Sequence, residues 1–137
     1  MISLQFFGAT RSVTGSCFLI QHGPTHLLVD CGLIQGPPEA AVRDRQPFPF
    51  DPSSLDAVVL IHAHLDHTGL TPRLFVEGFR GRLITTGITK DLLPILWEDF
   101  VHLQQLGQLD RRVPFDHAEP SLYGAEEVRK ALQLCEG

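Results

Sequence analysis

Leu60-Ile61-His62-Ala63-His64-Leu65-Asp66-His67-Thr68-Gly69 places four metal-competent side chains within six positions, in the pattern His-x-His-x-Asp-His. The apolar run Ala57-Val58-Val59-Leu60-Ile61 leads into it and reads as a strand buried on both faces. Beyond Thr68 the pattern turns helical. The cluster therefore falls where a strand ends and a helix begins, a usual place for a site in an α/β sheet. His62 and His64 are two positions apart, and in extended backbone their rings project to one side. Asp66 and His67 lie past the bend and aim at a second point nearby. Imidazole nitrogen with carboxylate oxygen suits zinc, and less selectively manganese or iron. Two donor pairs on either side of a bend suggest two metals. A lone His at a strand end is most often a satisfied polar residue, and a lone Asp before Thr-Gly is most often a helix N-cap. Asp66 can sit near a cap and still ligate, but packing does not account for three His and one Asp so close together.

Upstream of the cluster, Ile2 to Phe7 alternates and carries aromatics, which predicts a first strand. Gly8 to Ser16 is a Gly-, Ser- and Thr-rich loop; no Gly-Lys-Ser/Thr follows, so it is not a phosphate-binding P-loop. Ser16 to His22 and His26 to Asp30 read as two strands joined at Gly23-Pro24-Thr25, with His22 and His26 flanking the turn, exposed and unrelated to the site. Asp30 precedes Gly32, where an Asp readily shapes a turn. Gly32 to Ser54 is a long excursion punctuated by Gly36-Pro37-Pro38 and Pro47-Phe48-Pro49-Phe50-Asp51-Pro52, with one or two helical turns expected over Glu39 to Arg45.

Downstream, Thr71 to Gly78 reads as a short helix with Leu70, Leu74 and Phe75 on its apolar side, and Arg82 to Thr86 as a short strand. Thr89 to Leu106 carries the longest helical pattern, through Leu92, Leu93, Leu96, Phe100 and Leu103 with Trp97 adjacent; Pro94 marks a kink or a delayed start. His102 reads as a surface or core residue of this helix, not a ligand. Gln108 to Tyr123 reads as a solvated loop, with Arg111-Arg112, and His117 beside Asp116 and Glu119. Gly124 to Leu134 closes the chain as a charged helix with Val128, Leu132 and Leu134 on one side.

The chain has 137 residues, the size of one small domain, with 43% hydrophobic and 20% charged residues, so it is expected to form a core. A net charge of −5 disfavours a broadly basic nucleic-acid binder and leaves room only for a local patch. Cys17, Cys31 and Cys135 are odd in number and scattered, which reads as a reducing compartment without a disulfide framework, with Cys31 a small buried thiol. No apolar run approaches transmembrane length and no leader pattern opens the sequence, so a cytoplasmic location without membrane contact is expected.

The signature His62-x-His64-x-Asp66-His67 resembles that of the metallo-β-lactamase superfamily. Three flanking stretches narrow the likeness to its β-CASP ribonuclease branch, the RNA-processing and mRNA 3′-end cleavage nucleases. They are Gly8-Ala9-Thr10-Arg11-Ser12-Val13-Thr14-Gly15-Ser16, Leu28-Val29-Asp30-Cys31-Gly32, and Gly69-x-x-Pro72 with Glu77-Gly78-Phe79-Arg80-Gly81. The likeness runs from about residue 4 to the end and loosens after Thr86.

It implies an α/β (α+β) fold: the N-terminal half of an αββα sandwich over 1–137, with one mixed sheet and helices on one side. It also implies His62, His64, Asp66 and His67 as ligands of Zn2+, two ions in a complete enzyme with Mn2+ as a second option. Asp66 additionally orients water, and Asp30 supports the histidines from behind. By the same likeness the loop bearing Arg11, Ser12 and Thr14 approaches the metal cleft. The expected chemistry is hydrolysis of RNA phosphodiesters by metal-activated water. The family's later ligand motifs and its β-CASP insert do not occur before Gly137, so the isolated chain is expected to be inactive and to self-associate or need a completing polypeptide. Two alternatives stand beside this reading: a non-catalytic binding or assembly module, and another hydrolase of the same fold acting on thioesters or small phosphodiesters.

Overall fold

The structure, a computed structural model, describes residues 1–36, 38–106 and 121–137. Six strands lie in one mixed sheet in chain order: β1 (Ile2–Gly8), β2 (Cys17–His22), β3 (Thr25–Val29), β4 (Ala57–Val59), β5 (Arg82–Ile84) and β6 (Cys135–Glu136). The first three are antiparallel neighbours, and β4, β5 and β6 each run parallel to the strand before. The β2–β3 hairpin closes through His22 opposite Thr25, leaving Gly23-Pro24 as its loop. Gly23 has φ +56°, a left-handed conformation that a tight hairpin turn asks of its first central residue. The expected Gln108 to Tyr123 loop, with Arg111, Arg112 and His117, lies outside the described residues up to position 120.

Helices fill the crossovers that parallel pairing requires. They are α1 (Pro38–Asp44), α2 (Leu65–Thr68), α3 (Thr71–Val76), α4 (Gly87–Gln105) and α5 (Ala125–Leu134), with a 3₁₀ turn at Pro52–Ser54 capped by the Asp51 carboxylate. The α4 helix starts two residues earlier than the pattern predicts, because Thr86 Oγ1 accepts the Thr89 N–H. Pro94 sits inside it without ending it. Its buried side is Leu93, Trp97, Phe100 and Val101; Leu92, expected on the apolar side, is exposed. The period predicted a stripe, and the neighbours α4 meets decide which of the overlapping stripes is buried. On α5, likewise, Val128 and Ala131 are buried while Leu134 is exposed. None of the described helices is long and apolar enough to cross a membrane.

Register divides the sheet into two unlike faces. Leu19, Leu28, Val58, Leu83 and Cys135 are successive cross-strand partners, and all are buried in the core with Leu74, Leu93, Trp97 and Val128. The next row, Phe6, Phe18, Val29, Val59 and Ile84, projects to the other face and is half-buried or exposed. The β4 segment is therefore not buried on both faces: Val58 and Leu60 point into the core, while Val59 is half-buried and Ile61 is 60% exposed. Strand composition reported apolar surroundings for both faces, but among the described residues helices cover only one. All three cysteines are free and buried.

A polar knot holds the excursion between β3 and β4. Asp44 is buried, its carboxylate accepts the Ile34 N–H at 2.9 Å, and its backbone carbonyl accepts from Arg73 Nη1 at 2.7 Å. The Arg73 guanidinium also pairs with Glu77 and lies over the Phe48 ring.

Two outcomes follow. Burial, partly offset by the Ile34 N–H and nearby arginines, raises the Asp44 carboxyl from 3.8 to about 6. Between those values the folded chain holds a proton that the unfolded chain has released, so stability falls as pH rises through this window and the loss is complete above it. Asp44→Asn removes this dependence. Urea unfolding at pH 4 and pH 7 should show the wild type losing up to about 3 kcal/mol relative to the variant. The exposed apolar row should bind a dye that reports apolar surface and promote self-association. Replacing Leu4 and Phe6, both more than half exposed, by Gln should lower both signals in sedimentation and fluorescence without loss of helix content.

Candidate metal centre

The site is built on Asp30. This residue ends β3 with φ +59°, in the left-handed region that Asp tolerates better than most side chains, and its carboxylate is fully buried. Three donors hold it there. Oδ1 accepts the Ile61 N–H at 2.9 Å, and Oδ2 accepts the Ser16 hydroxyl at 2.8 Å and lies 2.7 Å from His67 Nδ1. A carboxylate receiving two donors fixes the third contact as His67 Nδ1–H donating, which leaves His67 Nε2 with a free lone pair. Asp66 Oδ2 is 3.6 Å from that nitrogen.

The other two histidines stand beside it. The His62 ring is 4.2 Å from the His64 ring and 5.1 Å from the His67 ring, centroid to centroid, in edge-to-face arrangements. His62 and His64 are exposed, whereas Asp66 and His67 are half-buried. The donors come as His62 with His64, then Asp66 with His67. Among the described residues, no three His, Cys, Asp or Glu side chains already converge on one point. In chemistry and grouping the set still fits a zinc or manganese ion: neutral imidazoles and a carboxylate, one imidazole held in its ligating tautomer by a buried acid. Cys31 is a poor further donor, since burial and the neighbouring Cys17 push its thiol well up.

Backbone pairing carries this cluster. Cys31 N–H bonds to His67 C=O at 2.8 Å, Leu33 N–H to Leu65 C=O at 2.8 Å, Leu70 N–H to Cys31 C=O at 2.8 Å, and Ser16 N–H to Asp66 C=O at 2.9 Å. Gly32 is forced by this approach, because a Cβ there would fall on the Asp66 carbonyl. Behind the loop, Thr68 Oγ1 reaches the Ala63 and His64 carbonyls at 3.0 and 3.2 Å and receives Trp97 Nε1–H at 3.3 Å, while Tyr123 O–H donates to Gly69 C=O at 2.7 Å. The N-cap of α2 is His64, so Asp66 sits in the first turn and does not cap it.

The structure brings together every residue singled out from the signature, and Asp30 with them. Within the Arg11, Ser12 and Thr14 loop, the Ser12 hydroxyl donates to Thr14 C=O, and Thr14 Oγ1 accepts the Gln35 N–H and donates to Gln35 C=O. His26, expected to be exposed, is half-buried against Gln21 and Ser54. Ser16, Thr68 and Trp97 escaped sequence reasoning. Only the adjacency of Ser16 to the glycine-rich loop and of Thr68 to the histidines hints at them.

The chain is similar to several known proteins. The profile of the metallo-beta-lactamase superfamily matches residues 11–79. Ribonuclease TTHA0252 of Thermus thermophilus is 43% identical over 134 residues, covering 96% of this chain and 31% of its own length. Transcription termination factor FttA of Methanococcus maripaludis is 36% identical over 149 residues, covering 97% of this chain and 22% of its own. The chain thus spans about a third or less of these curated relatives. The metallo-beta-lactamase fold protein YhfI of Bacillus subtilis superposes on 82% of this chain and 42% of its own at a TM-score of 0.43 and 21% identity.

Gly32→Ala should separate the two backbone segments and destabilise the chain by about 3 kcal/mol in urea unfolding, the upper range for overpacking a filled site.

Proposed function

We propose, since the chain belongs to the metallo-beta-lactamase superfamily, that it carries part of the metal centre of a hydrolase acting on RNA phosphodiesters. The observation that supports this reading is the hydrogen bond from His67 Nδ1 to buried Asp30. It turns the other ring nitrogen toward Asp66 at the end of the sheet, beside His62 and His64. A relative named as a ribonuclease supports RNA as the substrate.

His62 and His64 would hold one zinc and Asp66 and His67 a second, with manganese as the other option. When bound, such ions supply a Lewis acid and lower the pKa of a water to near neutrality. Asp66 would orient an attacking water, and Asp30 keeps His67 in one tautomer. Four donors divided between two metals leave each short of the usual ligand number, so affinity and turnover of these 137 residues are low. A second reading, a binding or assembly module completed by another polypeptide or a second copy, is favoured by the uncovered apolar face of the sheet.

Zinc titration with metal analysis should show weak, substoichiometric binding, reduced at least tenfold in His64→Ala, about the scale of removing a group from a metal site. Cleavage of single-stranded RNA should be slow or absent and abolished by a chelator. Tight stoichiometric zinc that survives His64→Ala would sink the assignment of ligands.

A further inference from the structure

Ser16 bonds both the segment that bears Asp30 and the segment that bears Asp66. Its side chain is buried and its hydroxyl donates to Asp30 Oδ2 at 2.8 Å. Its backbone N–H bonds Asp66 C=O at 2.9 Å and its C=O accepts the Gly32 N–H at 3.0 Å. The backbone of Ser16 is thus pinned to both segments, which fixes the point from which its hydroxyl reaches Asp30.

Asp30 then receives two donors that do not depend on the histidine: the Ile61 N–H on Oδ1 and the Ser16 O–H on Oδ2. Two donors on different oxygens fix both the position and the rotation of a carboxylate plane. One direction on Oδ2 remains open, and His67 Nδ1 occupies it at 2.7 Å. We infer that Ser16 is a positioning residue that, by fixing the rotation of the Asp30 carboxylate, holds His67 in the Nδ1-protonated tautomer with Nε2 presented to the site. The value of that tautomer to the protein rests on the proposed reading of His67 as a ligand. Without the hydroxyl, the Ile61 N–H is the one anchor of the carboxylate that does not depend on the histidine, and the plane can swing about it. The Nδ1–H bond then loses its fixed direction, and the second tautomer becomes populated.

The test uses the whole 137-residue chain, free of metal and in mildly alkaline buffer. Long-range 1H–15N spectra of the imidazoles report which nitrogen carries the proton. Wild type and Ser16→Thr, which keeps the hydroxyl, should show His67 protonated on Nδ1 alone. Ser16→Ala should show averaged 15N shifts from two tautomers. Its zinc dissociation constant should rise about tenfold, the low end for a group behind a metal ligand, and Ser16→Thr should restore it. Urea unfolding of the same variants separates packing from positioning. A Ser16→Ala chain that is less stable but keeps the wild-type His67 15N shifts overturns the inference. A wild type that binds no zinc, with tautomers that still mix in Ser16→Ala, overturns the metal reading and leaves the positioning role standing.

Discussion

A buried carboxylate at a left-handed backbone position is the constraint on which this structure turns. Asp30 ends β3 where the chain must leave the sheet, and its conformation redirects the backbone so that 31–33 runs alongside the segment 65–70. An ionised group removed from water needs compensation on every oxygen. Asp30 obtains it from three parts of the chain far apart in sequence: the loop before β2, the second residue after β4, and the short helix that follows. These interactions hold a strained position in place, and they also bring the histidine cluster to the end of the sheet.

The rest of the core supports this point from one side. The row Leu19, Leu28, Val58, Leu83 and Cys135 packs on α3, α4 and α5, and Trp97 from α4 reaches Thr68 directly behind the histidines. A side chain with no exposed surface, Trp97, thereby links the packing of the longest helix to the geometry of the loop. The opposite face lacks such cover among the described residues. The cluster stands where the filled face, the open face and the sheet's end meet, so its outer donors, His62 and His64, remain accessible while His67 is braced.

Local chemistry made much of this readable. The β2–β3 hairpin follows from a two-residue turn with glycine, α3 stops near Gly78 at φ +99°, and the histidine signature follows an apolar strand with a spacing that packing does not explain. These features depend on neighbours in sequence, so periodicity and residue type report them. The face that α4 buries was misjudged at Leu92 because its stripes overlap around the helix, and tertiary contact chooses between them. The two-residue β6 was missed because so short a strand has no pattern of its own and exists through pairing with β5.

By itself, then, the sequence determined the α/β character, the order of β1 to β5 with α1, α3, α4 and α5, and a group of metal-competent side chains at the end of a strand. Tertiary structure decided which face of each strand is covered, that Asp30 rather than water accepts the hydrogen bond from His67 Nδ1–H, and that Ser16 and Thr68 belong to the site. The physical reason is distance along the chain. A strand's alternation and a helix's period are set by adjacent residues, whereas Ser16, Asp30, Ile61 and His67 meet only after the sheet has formed and the carboxylate has lost its water.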